Sequence, residues 1–405
     1  MTHYTDRWLL PDGVEEILPD DAQKIEQSRR QLLDTYQLWG YQLVIPPLLE
    51  FTESLLTGVG NDLDLLTVKV TDQLSGRAMG LRPDITPQTA RIDAHSLVYD
   101  GPNRLCYADH VVHAKSVLPQ AVRTPIYAGV ELFGEASLDA DIEVVSLLLQ
   151  SLTDTLDLVV TIDLGHVGIY RSLVEIAGFT ATQESELFEL LQAKAITDIQ
   201  AWIARHVADQ EMATWLLALP NLSGDYTILA QAQKQFAHAP AKVSAAIDQL
   251  VSVADIISRR YPQTNIYFDL SELRGYHYHT GIVFAAYVPG LGNAVANGGR
   301  YDSIGEAFGR PRPATGFSID LTSIMSLLAK KETAYGIYAP KTDDSRQWQA
   351  IQNLRRAGET VVCGFSKQSF STSIPLHDKP FTCDRQLVME DGEYKVIPLD
   401  TDIEH

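Results

Sequence analysis

Four short segments of the 405-residue chain gather side chains suited to molecular recognition: LRPDITPQTAR (Leu81–Arg91), GVELFG (Gly129–Gly134), RGYHYHTGIVF (Arg274–Phe284) and GGRYD (Gly298–Asp302). Asp84 and Glu131 bring carboxylates, Arg274 and Arg300 bring guanidinium groups, and Thr86, Tyr276, Tyr278 and Tyr301 bring hydroxyls. The carboxylates can accept from a cationic group, and the guanidinium groups can donate to an anionic one. The glycines of GGRYD let backbone approach a ligand closely, and Tyr301 can close over it with a polar-tipped ring. Taken singly, the segments are less specific. Asp84-Ile85-Thr86-Pro87 also reads as a turn held by an Asx hydrogen bond, and GGRYD as a glycine-rich hairpin. Glu131 stands among Val130, Leu132 and Phe133, a setting that disfavours a solvent-facing position. In extended chain Tyr276 and Tyr278 face away from His277 and His279. Those two histidines share a face as a metal pair would, yet no third ligand stands at a matching spacing, so no metal is expected.

The elements that must position these groups follow from periodicity and turn signals. From about Ala22 to Trp39, Ile25, Leu32, Leu33, Tyr36 and Trp39 fall on one helical face, and Gly40 supplies a stop. QLVIPPLLE then reads as a short strand whose prolines confine it to a sheet edge or an interface. Strands are expected at Leu105–Val112, Thr124–Phe133, Val159–Gly168, Asn265–Leu270 and Gly281–Tyr287, with a long apolar helix at Ile142–Leu156. ATGFSIDLTSIMSLL reads as a strand running into a helix. The stretch from about 170 to 262 is helical in pattern and interrupts the β-rich core as an insertion. Residues 329–405 read as a small separate α/β unit, with a helix presenting Trp348, Ile351 and Leu354 on one face and a hairpin turning at Asp391-Gly392. The expected class is α+β, mostly antiparallel, with residues 1–328 as the main domain.

Bulk properties narrow the partners. A formal charge of −20 sets the chain at a disadvantage for polyanions such as tRNA. No apolar run is long enough to span a membrane, and the start lacks the pattern of a signal peptide. Cys106, Cys363 and Cys383 are scattered, which indicates neither a disulfide framework nor a zinc knuckle. A reducing cytoplasm is the expected compartment.

RGYHYHTGIVF followed by GGRYD resembles the histidine-specific pocket of class II histidyl-tRNA synthetases, where RGLDYYTGTVFE precedes GGRYDGL. LRPDITPQTAR is similar to that family's LRPEGTAxxxR, and GVELFG to its GxEVFG. The resemblance implies a class II synthetase-like core and a role for each matching residue. Asp84 and Thr86 hold the α-ammonium, Glu131 recognises the imidazole, and Arg274 reaches the carboxylate. The family's tandem tyrosines align with Tyr278 and His279, and its pocket glutamine with Tyr127.

The nucleotide side of the resemblance is different. Aligning RLCYADHVVHAKSV with the family's RLWYIGPMFRHERP puts His113 at the ATP-binding arginine and Lys115 at a glutamate. Aligning GFSIDLTSI with GFALGLERL puts Ser323 at the second arginine and Thr322 at the glutamate before it. Each such positive clamp is worth roughly two or three powers of ten in rate.

This combination, with the opening LPDGVEEILP, resembles the histidyl-tRNA synthetase-like regulatory subunits of ATP phosphoribosyltransferase. That resemblance implies a chain without catalysis or cofactor of its own, a homodimer within a hetero-oligomer. Its partner is then the short-form catalytic subunit of histidine biosynthesis, and tRNA is not bound. L-Histidine is then the feedback effector, bound by Asp84, Thr86, Tyr127, Glu131, Arg274, Tyr276, His277, Tyr278, Arg300 and Tyr301. A divergent histidyl-tRNA synthetase and a stand-alone histidine sensor are the alternatives.

Overall fold

The computed structural model describes residues 8–58, 61–116, 121–276, 278–328, 335–365 and 383–399. Two compact units divide the chain, Met1–Ala329 and Lys330–His405. The larger opens with helix α1 (Pro19–Leu38), which buries Ile25, Leu32 and Tyr36 at the spacing that the sequence predicts. Strand β1 (Gln42–Leu43) follows and lies at a sheet edge, where Pro46 and Pro47 end it. A three-stranded sheet comes next, built from β2 (Leu49–Phe51), β3 (Val68–Thr71) and β4 (Ala78–Leu81), with short helices α2 (Thr52–Leu55) and α3 (Asn61–Leu66). Helix α4 (Thr86–His95) then leads into the main sheet.

That sheet adds β5 (Asn103–His110), β6 (Ile126–Phe133), β7 (Thr161–His166), β8 (Ser223–Gly224), β9 (Asn265–Asp269), β10 (Ile282–Tyr287), β11 (Ala296–Arg300) and β12 (Ala314–Asp320). Its nine strands run in the order β1-β5-β6-β12-β11-β10-β7-β9-β8. Pairing is antiparallel except β1 with β5 and β7 with β9, so the expected α+β class holds. One face packs against α1, α5 (Leu138–Leu156), α6 (Val167–Ala177) and α11 (Ala241–Arg260), with Val130, Phe317, Phe284 and Leu164 pointing into this core. The stretch read as an insertion is helical apart from β8, running through α7 (Ala181–Gln192), α8 (Ile196–His206), α9 (Gln210–Ala218) and α10 (Thr227–Gln235). Its buried Leu187, Trp202, Leu216 and Ile247 belong to the same apolar core as the sheet.

One expectation needs correcting beyond β12. The chain leaves the strand through turns and a 3-10 segment (Met325–Leu327), because the Asp320 carboxylate accepts from the backbone N–H groups of Thr322 and Ser323 and competes with a helix.

The smaller unit contains β13 (Gly336–Ala339), α12 (Ser345–Arg356), β14 (Val361–Cys363), β15 (Cys383–Glu390) and β16 (Glu393–Pro398), in the sheet order β14-β13-β15-β16. Asp391 and Gly392 turn the hairpin with φ of 52° and 83°, the left-handed pair that a two-residue loop needs. Ile351 packs with Ile337, Val361 and Leu387, but Trp348 is 58% exposed rather than on the core face. Each step of three residues falls about 60° short of a full turn, so Trp348 rotates off the stripe that Ile351 centres.

Candidate functional site

Glu131 lies on the sheet face opposite the helical core, and the strand register shows what lies beside it. Glu131 pairs with Gly316, Gly316 with Gly299, Gly299 with Val283 and Val283 with Gly165. Residues paired across strands share a face, so Glu131 looks out over a floor of glycines. A β-carbon added at Gly316 would land on Oε2 of Glu131 and on the Val130 carbonyl, and one at Gly299 would stand 2.8 Å from the His279 ring. The floor must be bare for these side chains to lie on it.

Glu131 is buried and fully engaged. Its carboxylate accepts from Thr86 Oγ1 at 2.8 Å, from the Tyr107 hydroxyl at 3.2 Å and from the Tyr301 hydroxyl. Burial pushes its pKa well above the usual carboxylate range, and the nearby Asp84 charge pushes the same way. Tyr278 stacks on Tyr301 with ring centroids 4.9 Å apart, and its hydroxyl is buried without a hydrogen-bond partner among the described residues. Tyr107, which sequence reasoning did not single out, joins this candidate site through its bond to Glu131. Its signal was positional, since Tyr107 faces Gly129 across β5 and β6, on the same side as Glu131.

Asp84 and Thr86 reach this site from the start of α4. Asp84 Oδ1 accepts from the backbone N–H of Ile85 at 2.6 Å and of Thr86 at 3.3 Å, so the Asx turn that the tetrapeptide allows does form. It places the Asp84 carboxylate 3.5 Å from the Thr86 hydroxyl, which also contacts Glu131. Arg82, fully buried, anchors the loop: its guanidinium meets Asp109 at 2.7 Å and donates to the carbonyls of Pro46 and His110. Tyr127, four residues before Glu131 on the same face, packs edge-on against His113 at 6.2 Å. His113 Nε2 lies 3.0 Å from the Pro83 carbonyl.

Arg274 borders the same face through Asn297. It donates to Asn297 Oδ1 at 2.6 Å, the Tyr287 hydroxyl at 3.2 Å and Glu272 at 3.3 Å. His279 lies between Arg274 and Tyr301, and burial lowers its pKa to about 4.

Two expected site residues stand elsewhere. The segment around Gly275 is a turn with φ of 64° at that glycine, so strict alternation does not apply to it. Tyr276 points into the helices: its hydroxyl donates to Glu184 at 2.7 Å and its ring packs on Tyr170 at 5.2 Å. Arg300 neighbours Gly299, so the period of two sends it to the opposite face. There it pairs with Asp141 at 2.9 Å and donates to the carbonyls of Glu135 and Ser137. His277 lies outside the described residues. Among the described residues no cluster of His, Cys, Asp and Glu could hold a metal ion. Ser323 is exposed, and its hydroxyl donates to the Asp320 carbonyl at 2.8 Å.

Comparison with known proteins gives the family. A family model described as histidyl-tRNA synthetase matches residues 13–324, and one described as the C-terminal domain of the ATP phosphoribosyltransferase subunit HisZ matches residues 334–397. An ATP phosphoribosyltransferase regulatory subunit from Teredinibacter turnerae is 55% identical over 400 residues, covering 97% of this chain and 99% of the relative. A solved ATP phosphoribosyltransferase regulatory subunit/histidyl-tRNA synthetase from Bacillus halodurans superposes with a TM-score of 0.76 at 26% identity, over 88% of this chain and 92% of that one. Histidyl-tRNA synthetase from Nostoc shares the fold, with a TM-score of 0.77 at 17% identity over 96% and 97% of the two chains. With a relative 55% identical over nearly its whole length and family models matching both parts of the sequence, this chain belongs to the family of ATP phosphoribosyltransferase regulatory subunits, built on the histidyl-tRNA synthetase fold.

Proposed function

We propose that this chain binds L-histidine over the glycine floor and transmits its presence to a short-form ATP phosphoribosyltransferase catalytic subunit in the first step of histidine biosynthesis. The observation that carries the reading is Glu131, a buried carboxylate ringed by the hydroxyls of Thr86, Tyr107 and Tyr301. An imidazole N–H meets it with a charge-assisted bond, whereas an apolar side chain leaves it buried and unpaired. Asp84 and Thr86 hold the ammonium end. Arg274 is the donor for the carboxylate, at the cost of one of its present partners.

The same reading makes the chain a regulator rather than a ligase. His113 and Ser323 stand where the resemblance puts the ATP-gripping arginines, and neither carries a permanent positive charge. The chain acts as a homodimer within a hetero-oligomer, in the cytoplasm and without tRNA. Regulation is then linkage: histidine binds two states of the assembly unequally, and the ratio of the two affinities sets the depth of inhibition. The test combines calorimetric titration of the full chain with L-histidine and turnover of a short-form catalytic subunit with and without this chain. Saturable histidine binding, stimulated turnover and its inhibition by histidine are expected. Histidine-dependent ATP–pyrophosphate exchange by this chain alone would overturn the regulatory reading in favour of a ligase. Binding without any effect on the catalytic subunit would leave a stand-alone sensor.

A further inference from the structure

We propose that His113 is a direct ligand of the bound amino acid, its Nδ1 lone pair accepting a hydrogen bond from the α-ammonium group beside Asp84 and Thr86. This rests on the pocket reading above and specifies how the ammonium end is held.

The hydrogen-bond bookkeeping of the ring leads there. His113 is 3% exposed, and its Nε2 faces the Pro83 carbonyl oxygen at 3.0 Å. A carbonyl can only accept, so Nε2 carries the hydrogen, and in the neutral ring Nδ1 is left as a bare acceptor. That Nδ1 is buried and has no hydrogen-bond partner among the described residues. Buried acceptors are rarely left unmatched, because nothing repays their desolvation. Burial also opposes protonation of the ring and keeps its pKa below the ordinary histidine value, so Nδ1 remains an acceptor near neutral pH.

The surroundings select the donor. Asp84 and the ring lie within each other's electrostatic reach, and Thr86 links Asp84 to Glu131. An anion such as a phosphate or carboxylate would set acceptor against acceptor and add charge beside two carboxylates. A primary ammonium group instead offers hydrogens for Asp84, Thr86 and His113 together, and its charge offsets theirs. Tyr127 stands where the resemblance places a glutamine and brings no amide oxygen, so the pocket otherwise lacks that acceptor. The position that the resemblance gives to a phosphate-gripping arginine has thus exchanged a cationic donor for a neutral acceptor.

The test compares two ligands on the full chain by calorimetry, L-histidine and 3-(imidazol-4-yl)propionate, which differ by the ammonium group. His113→Phe is expected to weaken L-histidine about tenfold to hundredfold while leaving the propionate unchanged, since a hydrogen bond to a charged group is lost from one ligand alone. His113→Gln, whose amide oxygen can accept, is expected to recover most of the preference for L-histidine. Equal weakening of both ligands by His113→Phe would mark a packing role and overturn the assignment, as would no effect on either. Should His113→Phe fail to fold, His113→Gln decides: retained preference for L-histidine supports the assignment and its loss overturns it. Failure of the unaltered chain to bind L-histidine would overturn the pocket reading itself, and the role of His113 with it.

Discussion

Glu131 accepts from three hydroxyls of its own chain, and each can rotate to greet an incoming N–H group instead. Glu131→Gln keeps the shape of the side chain but replaces one acceptor oxygen with a donor and removes the charge that an imidazole N–H would meet. L-Histidine affinity is expected to fall about tenfold to hundredfold, with the fold retained, because a charge-assisted bond is exchanged for a mismatched one. Calorimetry checks this, and unchanged affinity would place the ligand elsewhere. Arg300 gives the opposite expectation. It is buried against Asp141 on the far face of the sheet, 2.9 Å away. Arg300→Met leaves the Asp141 carboxylate buried without its cation, which costs about 3–5 kcal/mol of stability. Urea unfolding should show that loss while histidine affinity stays as it was; weakened binding with unchanged stability would return Arg300 to the pocket.

At the scale of elements, the sequence showed the strands and what each carries, but not which strand lies beside which. Alternation in GVELFG already sets Glu131 apart from Val130 and Leu132. Whether Arg300 or Tyr301 shares its face depends on the register of β6, β12 and β11, and that register is a long-range fact. Tyr276 was misplaced for a local reason, the left-handed Gly275 that turns an apparent strand into a corner. The hairpin at Asp391-Gly392 was legible because its turn chemistry is contained in two adjacent residues. The glycine floor yields a prediction that belongs to the sheet rather than to one side chain. Gly316→Ala would press a methyl group onto Glu131 and onto the Val130 backbone carbonyl, which cannot swing aside. We expect a loss of about 1–3 kcal/mol in stability together with much weaker histidine binding. Gly292→Ala, with open space around it, is the control and should change neither. Equal effects from the two substitutions, measured by urea unfolding and calorimetry, would mean that the floor has no special role.

Over the whole molecule, acidic residues outnumber basic ones by 52 to 32, and several carboxylates are buried where ionisation is costly. Burial raises Asp163 to about 7, with Asp269 and Glu272 adding to it while Arg274 and Lys194 oppose. Asp320 rises to about 6, and Glu131, Asp84 and Asp141 are also raised. The unfolded chain ionises its aspartates near pH 3.9. Between that value and the raised one the folded chain therefore holds more protons, so these groups make stability rise as the pH falls. The buried histidines have the opposite sign. His113, His166 and His279 are lowered, His279 to about 4, so they cost stability once the unfolded chain begins to protonate its own histidines near 6.5. Between pH 8 and about 7 the carboxylates outweigh the histidines, and the urea midpoint should climb as the pH is lowered through that window. Asp163 isolates the effect, because its Oδ1 is buried without a hydrogen-bond partner among the described residues. Asp163→Asn removes the charge but not the shape. It should be more stable than the unaltered chain at pH 8, and the advantage should shrink toward pH 5, where the aspartate is already protonated in the folded chain. An advantage of the same size at both pH values would show that Asp163 is ionised throughout, and that the buried face carries its charge by some other compensation.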